Sequence, residues 1–169
     1  MTKIDPTIFK AYDIRGIYPS QIDEQIFYKI GQAYAKFVRP KTVAVGRDVR
    51  LSGPKLAQAL EQGLIDHGVN VVDIGVVTTD MYYFASAAYS YDGALIVSAS
   101  HNPKEYNGIK MVRGGAIPIS GDTGMYDIRD IVLSGYELKD PNPGKLATKD
   151  LSQDYLAKCL SFVDLTKIK

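Results

Sequence analysis

Short apolar runs alternate with stretches of helical periodicity along most of this chain, and that alternation restricts the fold more than any single residue does. Ile22, Ile26, Ile30, Tyr34 and Phe37 recur at the spacing of one helix face, and Pro40 stops the helix. Residues 42–45 then read as a short buried strand ending in Gly46-Arg47-Asp48. Ser52 is placed to cap the next helix, with Pro54 in its first turn. Leu56, Leu60 and Leu64 line that helix, and Gly68 suits its C-terminal end. A second buried strand is predicted over 69–74, closed by Gly75. Thr79 or Asp80 would cap a third helix whose inner face carries Met81, Phe84, Ala85 and Ala88. Strands follow over 94–99 and 108–112, and a further helix within 122–133.

Strands separated by helices predict an α/β chain, here a three-layer α/β/α sandwich. The return at Asn107-Gly108 resembles a hairpin, so the sheet is expected to be mixed, mostly parallel. The one linker-like stretch is 139–145, rich in Pro, Asn, Asp and Gly. Beyond it Leu151, Tyr155, Cys159 and Phe162 predict a helix over about 148–163, with all four on one face. The expected division is therefore a domain over 1–145 and a linker helix over 146–169 leading to a second domain. Such a helix would meet other protein or move freely, because its apolar face has no partner in the first domain.

With 169 residues the chain can bury a core without staples. A net charge of +1 and the lack of a Lys/Arg-rich run argue against a nucleic-acid partner. No stretch approaches the roughly 20 apolar residues of a membrane span. The single Cys159 excludes an internal disulfide and is read as a buried apolar residue in a reducing, cytoplasmic setting. His67 falls near a helix C-terminus, where a histidine is favourable on dipole grounds.

The chemistry concentrates after the strand at 94–99. It delivers Ser98, Ser100, His101 and Asn102 to one loop, and Lys110 returns on the next strand. Arg47, Asp48 and Arg50 leave the corresponding end of an earlier strand. Ligands of open α/β sheets bind outside the carboxyl ends of strands, so both loops fall where a site is expected. Ser100 offers a nucleophile, His101 and Asn102 hydrogen bonds, Lys110 a mobile charge, and Arg15 a planar fork suited to phosphate. Two plainer readings stand beside this. The Ser-His-Asn-Pro loop can be a turn satisfying its own backbone, and Arg47 with Asp48 can be a pair bracing a loop rather than touching substrate. A serine hydrolase fits less well, since Gly-x-Ser-x-Gly is absent and adjacent Ser and His side chains seldom face each other.

Three stretches taken together carry a resemblance: Phe9-Lys10-Ala11-Tyr12-Asp13-Ile14-Arg15-Gly16, then Val45-Gly46-Arg47-Asp48-Val49-Arg50-Leu51-Ser52-Gly53, then Ser98-Ala99-Ser100-His101-Asn102-Pro103 continuing to Tyr106-Asn107-Gly108-Ile109-Lys110. In this order they resemble the α-D-phosphohexomutase family of phosphomannomutases and phosphoglucomutases. The resemblance runs from about Ile8 to the end, and the Ala-Tyr-Asp-Ile-Arg-Gly form is similar to the mannose/glucose branch. Val77-Thr78-Thr79-Asp80 departs mildly from the Pro-Thr-Pro of many relatives.

The resemblance implies that Ser100 carries a phosphoryl group exchanged with a hexose 1- or 6-phosphate through a bisphosphorylated sugar. It implies Mg²⁺ bound through the Ser100 phosphate, its aspartate ligands lying outside this chain. It places Ser100, His101, Lys110 and Arg15 in catalysis, and Tyr12, Arg15, Ser100, Asn102 and Lys110 around the substrate. Arg47 and Asp48 would support the loop. It also implies further C-terminal domains that supply the metal loop, the sugar-reading loop and a phosphate clamp, none of whose sequences occurs here. The isolated chain is then expected to be inactive. A self-standing sugar-phosphate-binding or regulatory module without transfer activity is the alternative.

Overall fold

A computed structural model describes residues 4–164 of the chain. After a 3-10 turn at Pro6–Ile8, the elements run β1 (Ile14–Ile17), α1 (Glu24–Val38), β2 (Thr42–Arg47), α2 (Gly53–Asp66), β3 (Asn70–Val76), α3 (Thr79–Ala88), β4 (Gly93–Val97), β5 (Tyr106–Arg113), β6 (Ile117–Pro118), α4 (Met125–Leu133), β7 (Leu146–Thr148) and α5 (Ser152–Leu160). The described strands form one sheet in the order β1-β5-β4-β2-β3-β7, with β6 also against β5. β4, β2, β3 and β7 run parallel, and β5 turns back antiparallel to β4 and carries β1 and β6 on its other edge. The predicted mixed α/β/α sandwich is what is found.

Strand alternation sorts the two cores. Val43, Val45, Val71, Leu95, Val97, Ile109 and Met111 face α1, α2 and α4. Ala44, Ile74, Ala94, Ile96 and Val112 face α3. α1 and α2 lie close because each meets the other at a glycine. A Cβ on Gly31 would stand 2.5 Å from the Leu60 carbonyl oxygen, and one on Gly63 would overlap that of Tyr28.

Several local expectations change. Ser52 makes no capping bond; its hydroxyl accepts from the buried Asn107 amide at 2.9 Å instead. The cap of α3 is Thr78, one residue early, accepting from Met81 N. The inner face of α3 is Tyr82, Ala85 and Ser86, not the stripe of Met81, Phe84 and Ala88 around Ala85. With apolar or aromatic residues at most positions of 81–85, the period alone did not specify which way the helix faces.

The linker-like stretch stays on the domain. Asp140 N donates to Asp66 O and Gly144 N to Ile65 O, and the chain then enters β7, which extends the sheet beside β3. Residues 146–148, grouped above with the linker helix, are therefore a strand. Leu151 is buried in the α3-side core, whereas Cys159 is exposed and Phe162 is 76% exposed. The predicted face of α5 is thus divided. Tyr155 packs edge-on against Phe84 of α3 at 5.5 Å between ring centroids. The Tyr89 hydroxyl donates to Asp154, and the C-terminal half of the helix leaves Leu156 and Leu160 in solvent.

Candidate functional site

β4 is buried along its whole length and ends at Val97. Ser98 prolongs the ladder by one bond, its N–H donating to Gly108 O at 2.9 Å. The chain then turns sharply. Ser98 Oγ accepts from Ser100 N at 3.0 Å, and Ala99 O accepts from Asn102 N at 3.0 Å. Ser100 adopts a left-handed conformation at φ 55°, unusual for a residue with a Cβ, and its side chain faces solvent. Ser98 therefore builds the turn that displays Ser100.

The Ser100 hydroxyl and His101 Nδ1 lie 3.1 Å apart. Adjacent Ser and His do meet here, against the expectation, because the left-handed residue swings the two side chains to one side. Among the described residues no other side chain hydrogen-bonds to the imidazole, so the orienting third member of a hydrolase triad is absent.

The cations come from the antiparallel half of the sheet. Arg15 pairs with Gly108 across β1–β5, and Lys110 with Ile96 across β5–β4. Gly108 has no room for a Cβ, which would overlap the Ile14 carbonyl oxygen, so β1 closes tightly on β5. Arg15 donates to Asn102 Oδ1 through Nη1 and to Asp13 Oδ2 through Nη2 at 2.5 Å. Asp13 Oδ2 also lies 3.8 Å from Lys110 Nζ. One carboxylate thus holds two cations, leaving a net positive group that reaches the serine loop through Asn102. Among the described residues the Arg15 Nε hydrogen has no partner. Such a group is suited to an anion.

Arg47 and Asp48 do not pair with each other. Arg47 Nη1 reaches Asp73 at 3.5 Å, and Asp48 accepts from Arg50 Nε at 3.2 Å and from Arg50 N at 3.0 Å. Arg50 then donates to Pro103 O, Tyr106 O, Ser100 O and Asn102 O, at 2.7, 3.0, 3.0 and 2.7 Å. Asp48 thus pairs with Arg50, and Arg50 is the residue that touches the serine loop. Sequence reasoning placed Arg50 and Ser98 on the rim without a role, and Asp13 only within the first motif. Asp13-x-Arg15 and Asp48-x-Arg50 carry the available signal, opposite charges two residues apart.

Tyr12 is 75% exposed and forms no hydrogen bond or ring contact with the described residues. A cleft of about 630 Å³ opens between the serine loop, the Asp48–Arg50 turn and the start of α3, with Ser98, Ser100, Asn102, Thr78 and Thr79 in its wall. Among the described residues no group of three or more His, Cys, Asp or Glu side chains could hold a metal ion. Asp13 and Asp48, linked to the serine loop through Arg15 and Arg50, are already occupied by those arginines. The residues present do not form a Mg²⁺ cage, which requires oxygen ligands. No described helix is long and apolar enough to cross a membrane.

Fold and site together define a three-layer α/β/α domain that exposes one serine, beside an imidazole and a group of cations, at the carboxyl ends of its strands. Residues 6–139 match the family of phosphoglucomutase/phosphomannomutase, alpha/beta/alpha domain I. A phosphomannomutase of Vibrio cholerae is 44% identical over 96% of this chain and 36% of its own length. A phosphomannomutase of Klebsiella pneumoniae is 51% identical over 73% of this chain and 78% of its own length. The crystal structure of a phosphoglucomutase/phosphomannomutase family protein from Burkholderia thailandensis superposes with a TM-score of 0.86 at 36% identity, over 97% of this chain and 37% of that one. The chain belongs to the phosphoglucomutase/phosphomannomutase family, of which it carries the α/β/α domain I. It spans 36–38% of the length of the Vibrio and Salmonella typhimurium relatives.

Proposed function

We propose that this chain supplies the phosphoryl-carrying domain of a phosphohexomutase that interconverts hexose 1- and 6-phosphates, of mannose or glucose, in the cytoplasm. The observation that carries the proposal is Ser100, exposed in a left-handed turn with its hydroxyl on His101. In the phosphorylated state a sugar hydroxyl attacks the Ser100 phosphorus, the phosphorus–Oγ bond breaks, and the sugar hydroxyl proton passes to the freed Ser100 Oγ. The bisphosphorylated sugar reorients and returns its other phosphoryl group to Ser100 Oγ. His101 Nδ1 is placed to take and return the hydroxyl proton of Ser100. Lys110 and Arg15 supply positive charge where phosphate oxygens gather, the main form of catalysis in phosphoryl transfer. Asn102 links Arg15 to the serine loop, and Tyr12 lines the rim.

Mg²⁺ belongs to this reading only through oxygens of a phosphorylated Ser100, with carboxylate ligands from further domains. Those domains would also read the sugar, so the 169-residue chain by itself is expected not to interconvert hexose phosphates.

The test is Ser100→Ala in the mutase that carries this domain. Turnover is expected to fall by roughly a thousandfold or more, with wild type but not the variant retaining one phosphoryl group by intact mass after exposure to a hexose bisphosphate. Ser98→Ala, which removes one turn hydrogen bond, is expected to cost only a few-fold. Undiminished turnover in Ser100→Ala would overturn the proposal. Covalent labelling of Ser100 by a fluorophosphonate without phosphoryl uptake would favour a hydrolase, and sugar-phosphate binding with no phosphoserine a binding module.

A further inference from the structure

Arg50 lines the cleft, but unlike a phosphate-binding cation its guanidinium keeps no N–H free for an occupant. Its side chain is 11% exposed, and every N–H it owns is committed. An arginine has five such donors. Nε donates to Asp48; Nη1 to Pro103 O and Tyr106 O; Nη2 to Ser100 O and Asn102 O. Four carbonyls within a segment of seven residues therefore converge on one cation. They include the carbonyl of Ser100 and that of the residue bonded to Arg15.

The arginine is itself anchored. Asp48 N donates to Val97 O at the end of β4, Arg50 N donates to Asp48 Oδ1, and Arg50 O accepts from Gly53 N at the start of α2. Ser52, two residues on, accepts from the buried Asn107 side chain. Asn107 Oδ1 in turn accepts from Gly108 N, in the strand that carries Lys110.

We infer that Arg50 is the positioning residue of the serine loop: by gathering its carbonyls onto one buried guanidinium, it holds Ser100 in the left-handed turn and keeps the loop's carbonyl oxygens away from the face where a phosphoryl group must sit. The inference rests on the proposed phosphoryl transfer at Ser100. The chemistry explains the choice of side chain. A loop that displays an anion must not direct carbonyl oxygens at it, and a planar fork can hold four of them. A lysine is a point charge with three donors and cannot reproduce the fork. Because every Arg50 N–H is spent on Asp48 and the loop backbone, its loss should act on the reacting geometry more than on substrate affinity.

The test compares wild type, Arg50→Lys and Ser100→Ala in the mutase that carries this domain. In Arg50→Lys, kcat is expected to fall roughly 30-fold or more with KM within about threefold, the pattern of a contact that matters only in the transition state. Amide hydrogen exchange over 99–106 should accelerate by about tenfold or more while α1 and α2 stay unchanged, as expected for a local opening. Asp48→Asn, which weakens only the Nε contact, should lower kcat in the same direction by a smaller factor, a milder variant should Arg50→Lys not fold. A rise in KM at unchanged kcat, or exchange accelerated uniformly over the domain, would overturn the inference. Inactive Ser100→Ala beside fully active Arg50→Lys would overturn it alone; active Ser100→Ala would overturn the functional reading beneath it.

Discussion

At the scale of single residues, the polar groups of this domain divide into those that display the serine and those that carry a cost. Glu61 belongs to the second kind. It sits on the inner side of α2 with 7% of its surface exposed, and burial, reinforced by Asp73, raises its carboxyl pKa from 4.5 to about 7 despite Arg47 nearby. A carboxyl whose folded pKa is raised binds its proton more tightly in the fold than in the open chain. Its contribution to stability is therefore full below 4.5 and is lost as pH rises through about 7. Glu61→Gln is expected to flatten that decline and to stabilise the domain at about pH 8 by on the order of 1–3 kcal/mol. Urea midpoints of both proteins at about pH 5 and pH 8 check this; identical pH dependence would show that Glu61 ionises freely in the fold.

At the scale of elements, the α1–α2 contact places the first helical layer over the strands that bear the site. Its tightness depends on two glycines at which the neighbouring helix backbone takes the place of a side chain. Backbone cannot rotate out of the way as a side chain can, so Gly63→Ala must part the helices. The expected loss is about 2–4 kcal/mol, at or above the usual range for overpacking, read as a lower urea midpoint at unchanged slope. Gly75, by contrast, has no atom within 4 Å of where a Cβ would stand. Its φ of 73° makes Gly75→Ala a strain of only about 1–2 kcal/mol. Which helices cross so closely was not legible in sequence. Glycines inside helical patterns signal close approach only once the partner is known.

At the scale of the whole molecule, the unit that folds extends past the stretch that reads as a linker. β7 completes the edge of the sheet and Leu151 is 1% exposed beneath α3, whereas α5 beyond it buries none of its residues fully. Ending the chain after Leu151 is expected to lower stability by at most about 2 kcal/mol. Ending it after Lys145 should cost roughly 3 kcal/mol more, through the loss of a buried leucine and an edge strand. Thermal melts of the two truncations decide it: equal stability would place the boundary at 145, and a large difference would place it at 151. Leu156 and Leu160 of α5, and Phe162 just after it, are exposed.

Sequence by itself determined the layer architecture, the family, and the loop proposed to carry the chemistry. Periodicity of apolar residues is a local consequence of which faces are buried, and the Ser100-His101-Asn102 run sits beside the strand that presents it. Asn107-Gly108, read as the point of return, lies inside β5 against β1, and the chain turns back before it, over 98–105. Tertiary structure alone decided the orientation of α3, the choice of Ser52 for Asn107 rather than for its helix, and the attachment of β7. Each of those rests on a partner far along the chain: a sheet face, an amide 55 residues away, a strand edge. Arg50 marks the boundary between the two kinds of knowledge. Its charge and place are plain in the sequence, but its role depends on four carbonyls about fifty residues downstream, brought within reach only because β2 and β4 lie side by side.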